Sequence, residues 1–218
     1  MPYRRTENVA RRLAARHDAI IVAARQIASE GGLAAVQIAP VAARAGIAAG
    51  TVYRYFPGKT ALVAALLSGM AESEIGALRQ AAAGAPGPLS ALSAAIMTFA
   101  ARALRDRRLT FAAIAEPVDA ELDGVRTAFR RSLAAEFAGR IAAAVAEGRL
   151  PEQDSELAAA ALTGLLVEGL VGPLAPDASR REREIVQSLT LTALRALGVA
   201  DARARGLVVQ TAMPAAAS

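Results

Sequence analysis

Glycine and proline punctuate residues 46–58 so tightly that only one short helix fits between them. Gly46 suits a left-handed turn position, and Pro57-Gly58 ends whatever precedes it. The intervening residues predict a helix over Ala49 to Phe56. Upstream, Ile38, Val41, Ala42 and Ala45 mark the apolar face of another short helix, with Pro40 tolerated in its first turn. Ile47 plugs back into the core. Before that, Leu13, Ile20, Ile21, Ala24, Ile27 and Ala28 recur at helical spacing until Gly31-Gly32 stops them. Three helices closing within about fifty residues, the last two joined by a short glycine turn, is a helix-turn-helix plan spanning residues 37–56.

The rest of the chain reads as further helices. Lys59 opens one that runs to about Ala83 on a stripe of Leu62, Val63, Leu66, Leu67, Met70, Ile75 and Leu78. The cluster Gly84-Ala85-Pro86-Gly87-Pro88 breaks it. Helices are expected at Leu89–Leu104, Arg108–Ala115 and Glu121–Glu147, then from Asp154 to about Leu170 and from Arg180 to Leu197. Alanine dominates a 54% hydrophobic composition with only 4% aromatics, which favours helix over strand. No strand pattern and no fixed-period repeat is present. The fold class is all-α.

Charge is distributed unevenly. Residues 1–60 hold nine basic side chains against Glu7, Asp18 and Glu30, a net +6, so the remainder of this +5 chain sums to −1. A basic head on a near-neutral body is what a polyanion-binding protein needs, although a solvated arginine-rich face has the same composition. The absence of cysteine excludes disulfides, thiolate metal sites and cysteine nucleophiles, and a single histidine, His17, excludes multi-histidine sites. His17 is expected on a solvated or half-buried face of the first helix. No catalytic, metal or cofactor site is expected, and the chain is read as no enzyme. The charge-free run from Gln80 to Ala101 is interrupted by the glycine-proline cluster and cannot be one membrane helix. With no apolar leader segment recognisable, the expectation is a cytoplasmic location without membrane.

Three segments together resemble the DNA-binding domain of the TetR family of transcriptional regulators. They are Ile20–Gly32, then Val41-Ala42-Ala43-Arg44-Ala45-Gly46-Ile47, then Gly50-Thr51-Val52-Tyr53-Arg54-Tyr55-Phe56-Pro57-Gly58-Lys59-Thr60-Ala61-Leu62. The resemblance covers about residues 14–74 and implies a nine- or ten-helix homodimer. Its first three helices would bind double-stranded DNA, and the rest would form a ligand-receiving core. The implied organisation is a basic arm over 1–13, the DNA-binding domain over 14–74, a helical ligand-binding and dimerisation domain over 75–198, and a flexible tail over 199–218. The implied function is a repressor released from a palindromic operator by a small, mostly apolar effector.

Helix geometry assigns roles inside that segment. Val52 and Phe56 share one face and would bury against the first helix and Val41. Gly50, Thr51, Tyr53 and Arg54 then face outward, where a recognition helix meets base edges. Arg54 suits guanine and the Thr51 methyl suits thymine. Tyr55, Lys59 and Arg44 suit phosphates. The segment departs from the family at Ala48, where Ser or Thr usually caps the recognition helix, at Ala49, commonly basic or polar, and at Gln37, where Ser or Thr often caps the helix before.

The body carries no motif for a ligand. Phe99, Arg102, Phe111, Phe129, Leu133 and Leu166 are the candidate pocket residues, though filling a core and a solvated face accounts for them better. The last two helices have small-residue faces (Ala158, Ala161, Gly164, Leu165 and Gly169; Val186, Leu189, Ala193 and Ala196) suited to a four-helix dimer contact. The rival readings are an all-α interaction module, which Ala48 and Ala49 keep open, and an all-α enzyme with an incidental basic head.

Overall fold

The computed structural model describes residues 3–175 and 181–211, and within them the chain forms ten α-helices and no strand. The first four are α1 (Tyr3–Ala35), α2 (Ile38–Arg44), α3 (Ala49–Tyr53) and α4 (Lys59–Ala83). They are followed by α5 (Pro88–Arg105), α6 (Arg107–Ala115), α7 (Ala120–Ala146), α8 (Ser155–Leu174), α9 (Glu182–Ala196) and α10 (Asp201–Gln210).

Two expectations at the chain ends are corrected. Residues 3–13, expected as an arm, are the opening turns of α1. Residues 201–210, expected in a frayed tail, form α10, whose Ala204, Leu207 and Val208 are buried. The tail beyond Thr211 lies outside the described residues, as does the expected start of α9 at Arg180. The third helix is also shorter than expected. Its last helical residue is Tyr53, and the amides of Tyr55 and Phe56 both turn back to the Val52 carbonyl.

Apolar side chains gather in two clusters. One joins Ile20, Ala24, Val41, Val52, Phe56, Leu62 and Leu66, so α1 to α3 close on the first half of α4. It also takes in Leu109 and Ala112 of α6 and Leu122 of α7, residues expected to serve only the body. The other cluster is built around α5, of whose eighteen residues twelve are buried. Helix α4 therefore runs from one core into the other, giving Leu62, Val63, Leu66 and Leu67 to the first and Ile75 and Leu78 to the second. Two helices, α4 and α8, are long and apolar enough to cross a membrane by length and composition, a property the sequence reading attributed to no segment. Here both pack their buried stripes into these clusters.

Polar contacts also fasten the helices to one another. Glu136 of α7 accepts from Arg79 of α4 and, at 3.0 Å, from Arg140. These two guanidiniums, Arg79 first, hold its carboxyl below the usual range. Helix α6 grips the end of α1 from both sides. Asp106 accepts from Ser29 Oγ at 3.1 Å and from Arg25 at 3.4 Å, while Glu116 accepts the Leu33 amide at 2.9 Å and pairs with Arg108 at 2.9 Å. This grip requires Gly32, where α1 kinks with φ +75° and ψ −176°.

Candidate nucleic-acid interface and internal cavity

The turn between α2 and α3 follows directly from its sequence. Gly46 takes φ +67°, and this left-handed residue lets two amides fold back on the helix, Gly46 N to Ala43 O and Ile47 N to Ala42 O. The chain leaves α2 at a fixed angle, and half-buried Ile47 packs on the first cluster. Helix α3 then has two unlike faces. Val52 is fully buried and Phe56, just past its end, nearly so. On the opposite face Gly50, Tyr53 and Arg54 are exposed, with Thr51 partly so. Tyr53 is 56% exposed. A Cβ added at Gly50 would meet nothing within 4 Å, so the fold itself does not demand glycine there.

The residues flanking α3 have protein partners. Arg44 forms a two-pronged pair with Glu30, at 2.6 and 2.8 Å, and this contact holds the Glu30 carboxyl below its usual range. Lys59 Nζ donates to the Ala34 carbonyl at 3.2 Å, which ties the start of α4 to the end of α1. Tyr55 is half-buried beside His17, their ring centroids 6.4 Å apart, and Phe56 lies 5.3 Å from the same imidazole. His17 thus sits exposed on α1, over the turn that ends α3. Arg54 has no carboxylate partner among the described residues.

No side chain caps α2 or α3. Gln37 turns its amide back to Ala34 O, and Ala48 has nothing to offer. Ala48→Ser should therefore stabilise the protein by about 1 kcal/mol in a urea melt. An unchanged midpoint would show that packing by Val52 alone fixes the start of α3.

A cavity opens where α4, α5, α6 and α7 meet. It holds about 570 Å³ of atom-free space including its mouth. Its walls are Leu67, Met70, Ala71 and Glu74 of α4, Phe99 and Ala103 of α5, Thr110, Ala113 and Ile114 of α6, and Val125, Arg126 and Phe129 of α7. Of the candidate pocket residues only Phe99 and Phe129 line it, with ring centroids 6.5 Å apart. Leu133 and Leu166 are instead fully buried core residues, and half-buried Phe111 packs against the same core. Arg102 stands behind the wall, giving both its prongs to Glu74 at 2.9 and 2.8 Å. The arginine that does line the cavity is Arg126, whose Nη2 donates to Ala112 O at 2.7 Å and whose buried Nε meets no acceptor. Nothing in the sequence separated it from its neighbours Arg130 and Arg131.

The small-residue faces of the last long helices are only partly free. Val186 and Ala193 are fully buried within the chain, and a Cβ on Gly169 would strike Leu189 at 2.8 Å. Those residues let α8 and α9 approach each other. What remains outward is a groove lined by Leu157, Ala158, Ala161, Leu165 and Ala196, with Leu157 69% exposed.

Comparison with known proteins agrees with this geometry. Residues 20–66 match the family described as bacterial regulatory proteins, tetR family. The HTH-type transcriptional repressor KstR of Mycolicibacterium smegmatis is 50% identical over 52 residues, which are 24% of this chain and 26% of that protein. KstR of Rhodococcus jostii is 47% identical over 53 residues, 24% of this chain and 25% of that protein. The match thus spans about a quarter of the length of these curated relatives. Solved structures extend the likeness in fold to nearly the whole chain. RolR in complex with resorcinol superposes with a TM-score of 0.71 at 24% identity, covering 94% of this chain and 98% of that one. FadR of Bacillus subtilis in complex with stearoyl-CoA gives 0.71 at 21% identity, covering 83% and 97%. Over residues 20–66 the chain is thus similar to the tetR family of bacterial regulatory proteins, and beyond them it shares the fold of these solved structures.

Proposed function

We propose that this protein is a ligand-responsive transcriptional regulator that binds DNA as a homodimer and represses until an effector releases it. The observation that carries the reading is the two-faced helix α3, pinned by Val52 and Phe56 and bare at Gly50, Tyr53 and Arg54. A short helix held rigidly by one face, at the tip of a basic head, is built to enter a major groove. Arg54 reads guanine, the Thr51 methyl touches thymine, and Tyr53 lies along the same edge. Arg44, Tyr55 and Lys59 meet phosphates, Arg44 by exchanging its Glu30 carboxylate for a phosphate of like charge.

The groove of α8 and α9 around Leu157 and Ala161 is the surface for a second copy. A two-fold contact there would set the recognition helices about one DNA turn apart, roughly 34–36 Å, over a palindrome. The relatives named as repressors support repression, and RolR, solved with resorcinol, and FadR, solved with stearoyl-CoA, support a small-molecule ligand. The cavity beside α4 and α6 is the place for it, and its apolar walls suit a small, mostly apolar molecule. The protein acts where its DNA is, in the cytoplasm.

Binding to the DNA upstream of its own gene, titrated with salt, tests the reading. Sequence-specific binding should weaken with a log–log slope of about −0.9 per phosphate neutralised. Absence of any sequence preference at low salt would leave the helical interaction module standing instead. Gly50→Ala supplies a second check. Open space around Gly50 and alanine's better helix propensity predict stability raised by up to about 1 kcal/mol, with weaker operator binding because the added methyl meets DNA. Unaltered affinity would move Gly50 out of the interface.

A further inference from the structure

The cavity walls are apolar except for Glu74, Thr110 and Arg126. Glu74 is spent on Arg102, both carboxylate oxygens accepting from it. The Thr110 hydroxyl and the Arg126 guanidinium are the polar wall groups not engaged with a carboxylate. Arg126 is poorly solvated, burial being the largest influence on its guanidinium and lowering its pKa. Asp123 and Glu116 oppose that effect and Arg130 adds to it. The guanidinium nevertheless stays charged, since arginine does not deprotonate in proteins. It donates to the Ala112 carbonyl, and its Nε is buried with no acceptor. An unmatched donor on a charged, desolvated group is costly, and an incoming anion relieves that cost.

From this we infer that the effector is an apolar molecule ending in a single carboxylate, received by Arg126. The inference rests on the reading of this cavity as the effector site. The apolar body lies against Phe99, Phe129, Met70 and Ile114, and the carboxylate draws the guanidinium towards itself. In doing so it competes with Ala112 O, the acceptor that Arg126 now has on α6. Ala112 is fully buried in the cluster that holds the DNA-reading head. Recognition of the anion and disturbance of the α6 contact with the head are therefore the same event, which gives the ligand different affinities for two positions of α6.

Two matched probe pairs test this by titration calorimetry on the full-length protein: decanoate against decanamide, and 4-phenylbutyrate against 4-phenylbutyramide. Each pair has one apolar body and differs in charge. For at least one pair the carboxylate should bind about tenfold or more tighter than the amide. Arg126→Met should abolish that preference while the amide still binds, and Arg126→Lys should retain part of it. Equal binding of acid and amide, binding of neither pair, or a preference that survives Arg126→Met would each overturn the inference. Should the methionine variant not fold, the wild-type comparison decides alone. Sequence-specific DNA binding by the ligand-free wild type keeps the two readings apart. A carboxylate preference without DNA binding sinks the regulator and spares the site, and DNA binding without the preference does the reverse.

Discussion

Gly32→Ala should lower the stability of the protein by about 3 kcal/mol, a fall in Tm of roughly 6–12 °C for a chain of this length. Two physical effects combine. At φ +75° and ψ −176° the backbone occupies a region that essentially only glycine enters, so any side chain adds strain. The new Cβ would also fall 2.3 Å from Glu116 Oε1 and 2.5 Å from Arg108 Nη2. Relief requires the carboxylate to withdraw, which breaks its bond to the Leu33 amide and its pair with Arg108. A second substitution separates the effects. In a Glu116→Ala background the carboxylate is gone and Arg108, released from its ion pair, can swing aside, so mainly backbone strain remains and Gly32→Ala should cost visibly less there. Strict additivity of the two substitutions would mean that Glu116 does not close on Gly32 in solution. Since the contact joins α1 to α6, the single variant should also alter DNA affinity without touching a DNA-facing residue.

Gly32 also shows where sequence reading reaches its limit. That Gly31-Gly32 interrupts a helix was legible from residue type alone, although α1 kinks at Gly32 and resumes to Ala35 instead of stopping there. That the same glycine makes room for a carboxylate 84 positions later was not, because no local pattern encodes it. The same contrast holds along the chain. Helices α2 to α9 were legible because their apolar residues recur at helical spacing between glycine or proline stops. The first turns of α1 carry arginines and no apolar stripe, and α10 is too short for a sustained period and buries only Ala204, Leu207 and Val208. Each becomes helix by continuing or docking on a body that folds around it.

The candidate interface was more legible than the cavity for a related reason. Which way α3 faces is fixed by a 3.6-residue period, so buried Val52 and exposed Tyr53 and Arg54 follow from spacing. Leu133 and Leu166 share with Phe99 and Phe129 the property of being apolar and inward. Whether an inward side chain meets a neighbour or a void depends on how four helices meet, as does the choice of Arg126 over Arg102. Salt-bridge partners were hidden likewise: Arg44 finds Glu30 fourteen residues back, across the α1–α2 angle.

Arg54→Ala and Lys59→Ala should fail in different ways, and the difference is measurable. A guanidinium reading a guanine edge carries discrimination, so Arg54→Ala should weaken operator binding by about 1–3 kcal/mol, roughly 5- to 150-fold. Most of that loss should be confined to the operator, leaving binding to unrelated duplex much closer to wild type. If Lys59, as proposed, offers its charge to the backbone and reads no base, Lys59→Ala should weaken operator and unrelated DNA alike and reduce the salt slope by about 0.9. The structure adds a consequence for Lys59 alone. Its ammonium holds the Ala34 carbonyl at 3.2 Å, so the alanine variant should also lose roughly 1 kcal/mol of stability. Exposed Arg54, with no carboxylate to release, should leave the melting midpoint within about 0.5 kcal/mol of wild type. Binding isotherms on operator and scrambled duplex at three salt concentrations, with a urea melt for each variant, resolve all four quantities. If both variants lose discrimination equally, α3 does not read bases through Arg54, and the recognition must be sought in the DNA's shape and in Tyr53.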